Sequence, residues 1–164
     1  MIASNQFRDE EYQKPRAILE AAGARVTVAC SSLKESVGML GLKVKPDILL
    51  KDARMDQYDA VVFVGGMGAT EYWDNPIAHA LAKQSYQSGK LTSAICLAPM
   101  TLANAGLLKG KRATIWKDAV TDFKTKGVVY TGSPVEQDGK LITGSGPEAA
   151  EAFGKALLEA LKSA

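Results

Sequence analysis

The chain has 164 residues, of which 23% are charged, and a formal net charge of +2. This length fits a single domain, residues 1–164, that can bury a sizeable core. The 20 basic and 18 acidic residues nearly balance and form no basic run, which argues against nucleic acid as a partner. No apolar run reaches the roughly 20 residues of a membrane span, and the N-terminus lacks a signal-peptide pattern. We therefore expect a soluble, cytoplasmic protein without membrane contact.

The first part of the chain alternates a helical pattern with β-branched runs. A helix is expected to begin at the acidic segment of residues 8–11 and to end at Gly23, a typical C-cap. The run "RVTVAC" (25–30) predicts a buried strand, and residues 33–50 a small β excursion. Only residues 1–3 precede the first polar turn, whereas strands usually have about five residues. Either the first strand is a stub, or residues upstream of this sequence complete it.

The second part of the chain continues this alternation. Strands are predicted over "YDAVVFVGG" (58–66), "LTSAIC" (91–96) and "RATIW" (112–116). The helix between the first two is expected to begin after Asn75 and to end at Gly89.

Two further elements complete the predicted fold. The segment "VEQDGKLITG" predicts a hairpin turning at Asp138-Gly139, and a C-terminal amphipathic helix is expected from near Pro147. Alternating strands and helices are typical of a mostly parallel sheet with helices on both faces. The sequence thus predicts an α/β fold.

Cysteine and histidine are rare in this chain. The two cysteines, Cys30 and Cys96, form no C-x-x-C pair, so both are expected to be reduced thiols. The only histidine, His79, has no cysteine or histidine near it in sequence, so no metal is expected, and no other cofactor either. On its predicted helix His79 is expected to be a solvated surface residue rather than a catalytic base.

The stretch "LTSAICLAPMTLANAG" (91–106) places Cys96 between a predicted strand and a predicted helix. A nucleophile on such a sharp turn has a strained backbone and needs small residues two positions away on both sides. Ala94 and Ala98 meet this requirement, and Pro99 suits a first helical turn. Amides at a helix start favour the thiolate form. The alternative is that Cys96 is a small buried apolar residue at the end of a strand.

Two glycines, Gly65 and Gly66, directly follow a predicted buried strand in "VVFVGGMGATEYW". Open α/β sheets place their sites at this carboxyl edge, where Gly65 is expected in the wall of a pocket. The amides of Gly66 and Leu97 are candidates for an oxyanion hole serving Cys96. A dinucleotide-binding loop is disfavoured, because the last glycine of G-x-G-x-x-G is missing. Trp116 ends another predicted strand at the same edge, either as a pocket wall or in the core.

Three consecutive acidic residues, Asp9, Glu10 and Glu11, occupy the first turn of the first predicted helix within "FRDEEY". They are explained either by the favourable interaction of acids with a helix N-terminus or by catalysis. In the second interpretation one glutamate lies over Cys96 and exchanges a proton with the thiol or the substrate.

The segments "FRDEEYQKP", "YDAVVFVGGMGA", "AICLAPMTLANAGLLKGKRAT" and "DGKLITGSGP" together resemble the ThiJ/PfpI superfamily. The resemblance implies a flavodoxin-like three-layer α/β/α sandwich, usually dimeric, with a reactive cysteine on a nucleophile elbow. It implies that Cys96 is this cysteine, that Glu11 is its acidic partner, and that the oxyanion amides belong to Gly66 and Leu97.

Members of this superfamily have been described as glutathione-independent glyoxalases, protein deglycases, peptidases and redox-responsive chaperones. We expect an enzyme in which Cys96 adds to a small reactive carbonyl compound, while Glu11 transfers protons. A peptidase is an alternative, although the C-H-G-P pattern of PfpI-type peptidases is here Cys96-Leu97-Ala98-Pro99. Two further hypotheses are a redox sensor or chaperone, in which Cys96 is oxidised to a sulfinic acid, and a small-ligand binding module with an unreactive Cys96.

Overall fold

The computed structural model describes residues 1–164 as an α/β sandwich. Its helices are α1 (Asp9–Ala21), α2 (Pro76–Gln87), α3 (Pro99–Asn104), α4 (Val120–Thr125) and α5 (Ala150–Lys162). Its strands are β1 (Ala29–Cys30), β2 (Ser36–Val37), β3 (Lys43–Val44), β4 (Ile48–Leu49), β5 (Ala60–Phe63), β6 (Leu91–Ile95), β7 (Arg112–Ala113), β8 (Val129–Tyr130), β9 (Val135–Asp138) and β10 (Leu141–Gly144). No helix has the length and apolar character needed to cross a membrane.

The main sheet has the strand order β5-β6-β10-β9, in which only β9 is antiparallel to its neighbour. All five residues of its central strand β6 are buried. Successive side chains of β6 enter different apolar clusters: Ile95 lies in the cluster that contains Phe153 of α5, whereas Ala94 lies in the cluster that contains Leu81 of α2. Helices therefore cover both faces of the sheet, which confirms the predicted three-layer α/β/α fold.

Residues 1–3 extend this sheet toward β1 and β4. The Met1 amine donates to the Val62 carbonyl at 2.7 Å, and the Ile2 amide donates to the Ala29 carbonyl at 3.1 Å. The predicted strand 25–30 is wrong over most of its length, because only Ala29–Cys30 is strand. The physical reason is that residues 25–27 make no backbone hydrogen bond to a neighbouring strand.

Other element boundaries also differ from the sequence predictions. The strand predicted at 58–66 is Ala60–Phe63, and that at 112–116 is Arg112–Ala113. The excursion at 33–50 is an antiparallel β2–β3 hairpin followed by β4, which pairs with β1. The hairpin at Asp138-Gly139 is confirmed.

The helix start after Asn75 is confirmed, because the Asn75 carboxamide accepts from the amides of Ile77 at 2.9 Å and Ala78 at 3.1 Å.

The start of α1 is fastened to the β2–β3 hairpin by Asp9. This carboxylate is buried and accepts hydrogen bonds from the amides of Leu40 at 2.7 Å and Leu42 at 2.8 Å. A side chain on Gly38 would collide with it, because a Cβ there would lie 2.7 Å from Asp9 Cγ. Asp9 therefore fixes where the first turn of α1 lies relative to the sheet.

We expect Asp9→Ala to lower the free energy of unfolding by about 1–3 kcal/mol, because it leaves two amides in part-buried hydrogen bonds without an acceptor. Urea denaturation measures this loss, and faster hydrogen exchange of the Leu40 and Leu42 amides would locate it. Glu10→Ala, in the same turn but with a side chain that is 29% exposed, is the matched control and should cost less than about 1 kcal/mol. Equal losses in the two variants would contradict this function of Asp9.

Candidate active site

Cys96 lies on a sharp turn between β6 and α3. Its φ of +64° is in the left-handed region, which costs a residue with a side chain roughly 1–2 kcal/mol. Hydrogen bonds on both sides hold this conformation: the Cys96 amide donates to the Gly144 carbonyl, and the Cys96 carbonyl accepts from the Trp116 amide, both at 2.9 Å. The flanking Ala94 and Ala98 are fully packed. The strained turn that the sequence predicted is therefore present.

Cys96 and Glu11 converge on Gly65. A Cβ placed on Gly65 would lie 2.5 Å from Cys96 Cβ and 2.5 Å from the Ile95 carbonyl, and it would overlap Glu11 Oε2. Glycine is thus required here so that the carboxyl group and the elbow can approach the same stretch of backbone. Gly65 lies between Cys96 and Glu11 and contacts both residues. The sequence predicted Gly65 only as part of the pocket wall.

Position 66 requires glycine for a different reason. Its φ is +102°, and a Cβ would lie 2.5 Å from the Gln6 carbonyl. Its neighbour Gly65 accepts a hydrogen bond from the Arg8 amide at 2.9 Å. The loop after β5 is therefore packed directly against the chain that leads into α1.

The Glu11 side chain is fully buried, and neither carboxyl oxygen makes a hydrogen bond of normal geometry in the protein. Burial raises the pKa of Glu11 to about 8, although the nearby Cys96 thiol and Gly65 amide lower it. Glu11 is therefore mostly protonated at neutral pH and can donate or accept a proton. An uncompensated buried carboxyl group of this kind is typical of functional sites.

Different neighbours shift the pKa of the Cys96 thiol in opposite directions. Burial raises the pKa of Cys96, and a negative charge on Glu11 raises it further. The backbone amides of Gly66 and Leu97 lower it. The expectation that amides at the turn favour the thiolate is correct in direction, but burial has the larger effect. A negative charge on either Glu11 or Cys96 makes ionisation of the other group less favourable.

The amides of Gly66 and Leu97 both act on the Cys96 sulfur. This arrangement suits the stabilisation of an oxyanion on a carbon bonded to that sulfur. The Leu97 amide shares its peptide plane with the Cys96 carbonyl, which accepts from the Trp116 amide at 2.9 Å. The carbonyl of the following peptide, that of Leu97, accepts from the Trp73 indole Nε1 at 2.8 Å. Sequence reasoning missed Trp73, which directly follows a short 3₁₀ segment, Met67–Tyr72, where no periodic pattern marks it.

Trp116 and His79 lie around the elbow. Trp116 is half-buried beside Cys96, and its ring packs on Gly146, where a Cβ would lie 2.7 Å from the ring. His79 is half-buried rather than solvated, and its Nε2 lies 2.7 Å from the Trp73 carbonyl. The predicted surface position is therefore only partly exposed, and the ring is hydrogen-bonded to backbone rather than fully solvated.

Cys30 is fully buried away from solvent. Its sulfur lies 3.7 Å from Ser36 Oγ and 3.7 Å from Tyr72 Oη. Both cysteines are free thiols.

Comparison with known proteins places this geometry in context. The model of the DJ-1/PfpI family matches residues 1–160. An uncharacterized protein of Methanocaldococcus jannaschii is 41% identical, over 99% of this chain and 80% of its own length. A Pyrococcus abyssi protein named a deglycase is 28% identical, over 99% of this chain and 98% of its own. The crystal structure of a ThiJ/PfpI domain protein from Brachyspira murdochii superposes with a TM-score of 0.97 at 28% identity, covering 99% of this chain and 94% of that one.

The raised pKa of Glu11 links its protonation to stability. Between the unfolded value of 4.5 and the folded value of about 8, the folded state holds a proton that the unfolded state has lost. Stability should therefore fall as the pH rises through this range, by about 3 kcal/mol between pH 5 and pH 8. In Glu11→Gln this contribution disappears, so the variant should gain stability relative to the native chain as the pH rises. Urea denaturation at several pH values measures the difference, and parallel curves for the two proteins would contradict it.

The proximity of Glu11 and Cys96 also leads to a prediction about the reactivity of the Cys96 thiol. Glu11→Gln removes the negative charge that raises the pKa of Cys96 but keeps a hydrogen-bond donor. The pH midpoint for alkylation of Cys96 should therefore move to lower pH. The rate is measured with iodoacetamide and peptide mass spectrometry, with Cys30 as the buried internal control. Glu10→Gln is the matched control with a smaller expected shift, and an unchanged or higher midpoint in Glu11→Gln would contradict the pairing.

Proposed function

Because the chain belongs to the DJ-1/PfpI family, we propose that it is a cysteine-dependent enzyme that acts on small reactive carbonyl compounds or their adducts. Cys96 is the nucleophile, and Glu11 is the acid and base. The observation that carries this proposal is the buried Glu11 carboxyl group, which makes no hydrogen bond of normal geometry, beside a cysteine on a strained turn. The name of the Pyrococcus abyssi relative, a deglycase, supports the same substrate class.

The first step is addition of Cys96 to an aldehyde. The sulfur forms a bond to the carbonyl carbon, the π bond of the carbonyl breaks, and the thiol proton passes through Glu11 to the oxygen. The product is a hemithioacetal, and no oxidant or cofactor is consumed. The amides of Gly66 and Leu97 stabilise the negative charge that develops on the oxygen during this step.

For methylglyoxal, the ionised Glu11 carboxylate removes the proton from the hemithioacetal carbon. The electron pair of this C–H bond forms a carbon–carbon double bond, and the neighbouring carbonyl oxygen takes up a proton, which gives an enediol. Glu11 returns its proton to the neighbouring carbon while the hydroxyl on the sulfur-bearing carbon loses its proton and becomes the carbonyl of a lactate thioester. Water hydrolyses this thioester to lactate and the free thiol. A single carboxyl group can perform these transfers when its pKa is near the working pH, and the pKa of Glu11 is raised to about 8.

A peptidase is a less well supported alternative. Cleavage of a peptide bond needs a group that protonates the amine leaving group, usually a histidine beside the nucleophile. Leu97 follows Cys96 in this chain, and His79 is hydrogen-bonded to the Trp73 carbonyl. A redox sensor would use the same Cys96 and Glu11, so only catalytic turnover distinguishes it from the enzyme.

We expect the native chain to convert methylglyoxal to lactate over many turnovers per cysteine. Cys96→Ala should abolish the reaction, and Glu11→Gln should slow it by about 10²–10⁴-fold, because the acid and base is lost. Methylglyoxal consumption and lactate formation are measured together, with chromatographic detection of both compounds.

Cys30→Ala is the matched control, since it removes the other thiol and should leave the rate per folded protein unchanged. A native chain that forms no more product than its cysteine content would contradict the enzymatic proposal. Peroxide-dependent modification of Cys96 in such a chain would instead favour the redox sensor.

A further inference from the structure

Arg8 lies at the edge of the candidate site and has no part in the mechanism above. It is the residue before α1, and its amide bonds to the Gly65 carbonyl at 2.9 Å. A side chain on Gly66 would also meet the Arg8 amide. The backbone of Arg8 therefore packs against the two glycines that adjoin Cys96 and Glu11.

The Arg8 guanidinium is held in a fixed position by Glu10. Nε donates to Glu10 Oε2 at 2.8 Å, and Nη2 donates to Oε1 at 3.1 Å, in a bidentate ion pair. Both side chains are partly open to solvent, at 28% and 29% exposure. Nη1 makes no hydrogen bond to the protein, so one end of the guanidinium is available to a ligand.

The charge of Arg8 reaches the reactive pair. Arg8 lowers the pKa of Glu11, while Glu10 acts in the opposite direction. The pKa of Arg8 is raised chiefly by its hydrogen bonds to Glu10, and to a smaller extent by the negative charges of Glu11 and Cys96. A cation fixed beside a partly buried site also acts on the charge of an incoming reactant.

We propose that Arg8 makes the Cys96 site favour electrophiles that carry a negative charge, in particular 2-oxoaldehydes with a carboxylate group. The substrate assignment rests on the proposed function of Cys96, whereas the charge preference concerns the thiol alone. The negative charge of Glu10 partly cancels the positive charge of Arg8 and limits this preference. Removing the charge of Arg8 and removing that of Glu10 should therefore change the preference for anionic reactants in opposite directions.

Alkylation with two reagents tests the charge preference without any enzymatic turnover. Iodoacetate is anionic and iodoacetamide is neutral, but both react with the same thiolate and release iodide. The ratio of their rates therefore cancels the fraction of thiolate, which differs among variants. Both rates are measured at least one pH unit below the pKa of about 8 of Glu11, so that this carboxyl group is protonated. We expect Arg8→Met to lower the iodoacetate-to-iodoacetamide ratio at Cys96 by about 3–10-fold, and Glu10→Gln to raise it. Added salt should reduce both effects.

Arg16→Met is the matched control, because Arg16 forms the corresponding ion pair with Glu20 further along α1, at 32% and 43% exposure. This variant changes the net charge by the same amount and should leave the ratio unchanged. Equal ratios in Arg8→Met and the native chain, or the same change in Arg16→Met, would overturn the proposal.

The substrate class is tested by comparing kcat/KM for 4,5-dioxopentanoate, a 2-oxoaldehyde with a carboxylate, and for methylglyoxal, which is neutral. Arg8→Met should lower the ratio of the two values, and Glu10→Gln should raise it. A native chain that turns over neither compound but keeps the alkylation preference would refute the proposed function and leave the charge preference established. Turnover of both with a ratio unaffected by Arg8→Met would refute the substrate class.

Discussion

The candidate site depends on the burial of one carboxyl group, that of Glu11, against the backbone of Gly65. A carboxyl group without a hydrogen-bond partner is costly to bury, and it remains there only if the surrounding chain fixes its position. The Asp9 carboxylate fixes the first turn of α1 to the hairpin amides, and the Arg8 amide fixes the same turn to Gly65. These hydrogen bonds of neighbouring residues fix the position of Glu11 and offset the energetic cost of burying its carboxyl group.

The strained backbone of Cys96 has a similar origin. The elbow follows the fully buried strand β6, and hydrogen bonds from neighbouring segments hold both its amide and its carbonyl. Since the sheet determines the position of the turn, the left-handed conformation is retained despite its cost. The elbow and the buried acid are both at the carboxyl edge of the parallel strands, where open α/β sheets place their sites. Strain and desolvation are therefore concentrated where they can serve chemistry.

How far the sequence predicts this site depends on the range of the interactions. The elbow is local: Cys96 with small residues on both sides and a proline after it can be identified from a few positions. Glu11 is different, because three acids follow one another and composition cannot separate their functions. In the structure Asp9 binds the hairpin, Glu10 pairs with Arg8, and only Glu11 enters the site. Very short strands such as β8 (Val129–Tyr130) have no periodic pattern and escaped prediction.

The protonation of Glu11 and the charge of Arg8 act on the same small volume. At pH values well below the pKa of about 8, Glu11 is mostly protonated, and Arg8 and Glu10 are then the charges that influence the site. Once Glu11 ionises, its negative charge lies close to the Cys96 sulfur, since Glu11 and Cys96 both adjoin Gly65. An anionic reactant is then repelled at the point of bond formation. The attraction provided by Arg8 therefore operates only while Glu11 keeps its proton, which is also the state in which Glu11 can act as an acid.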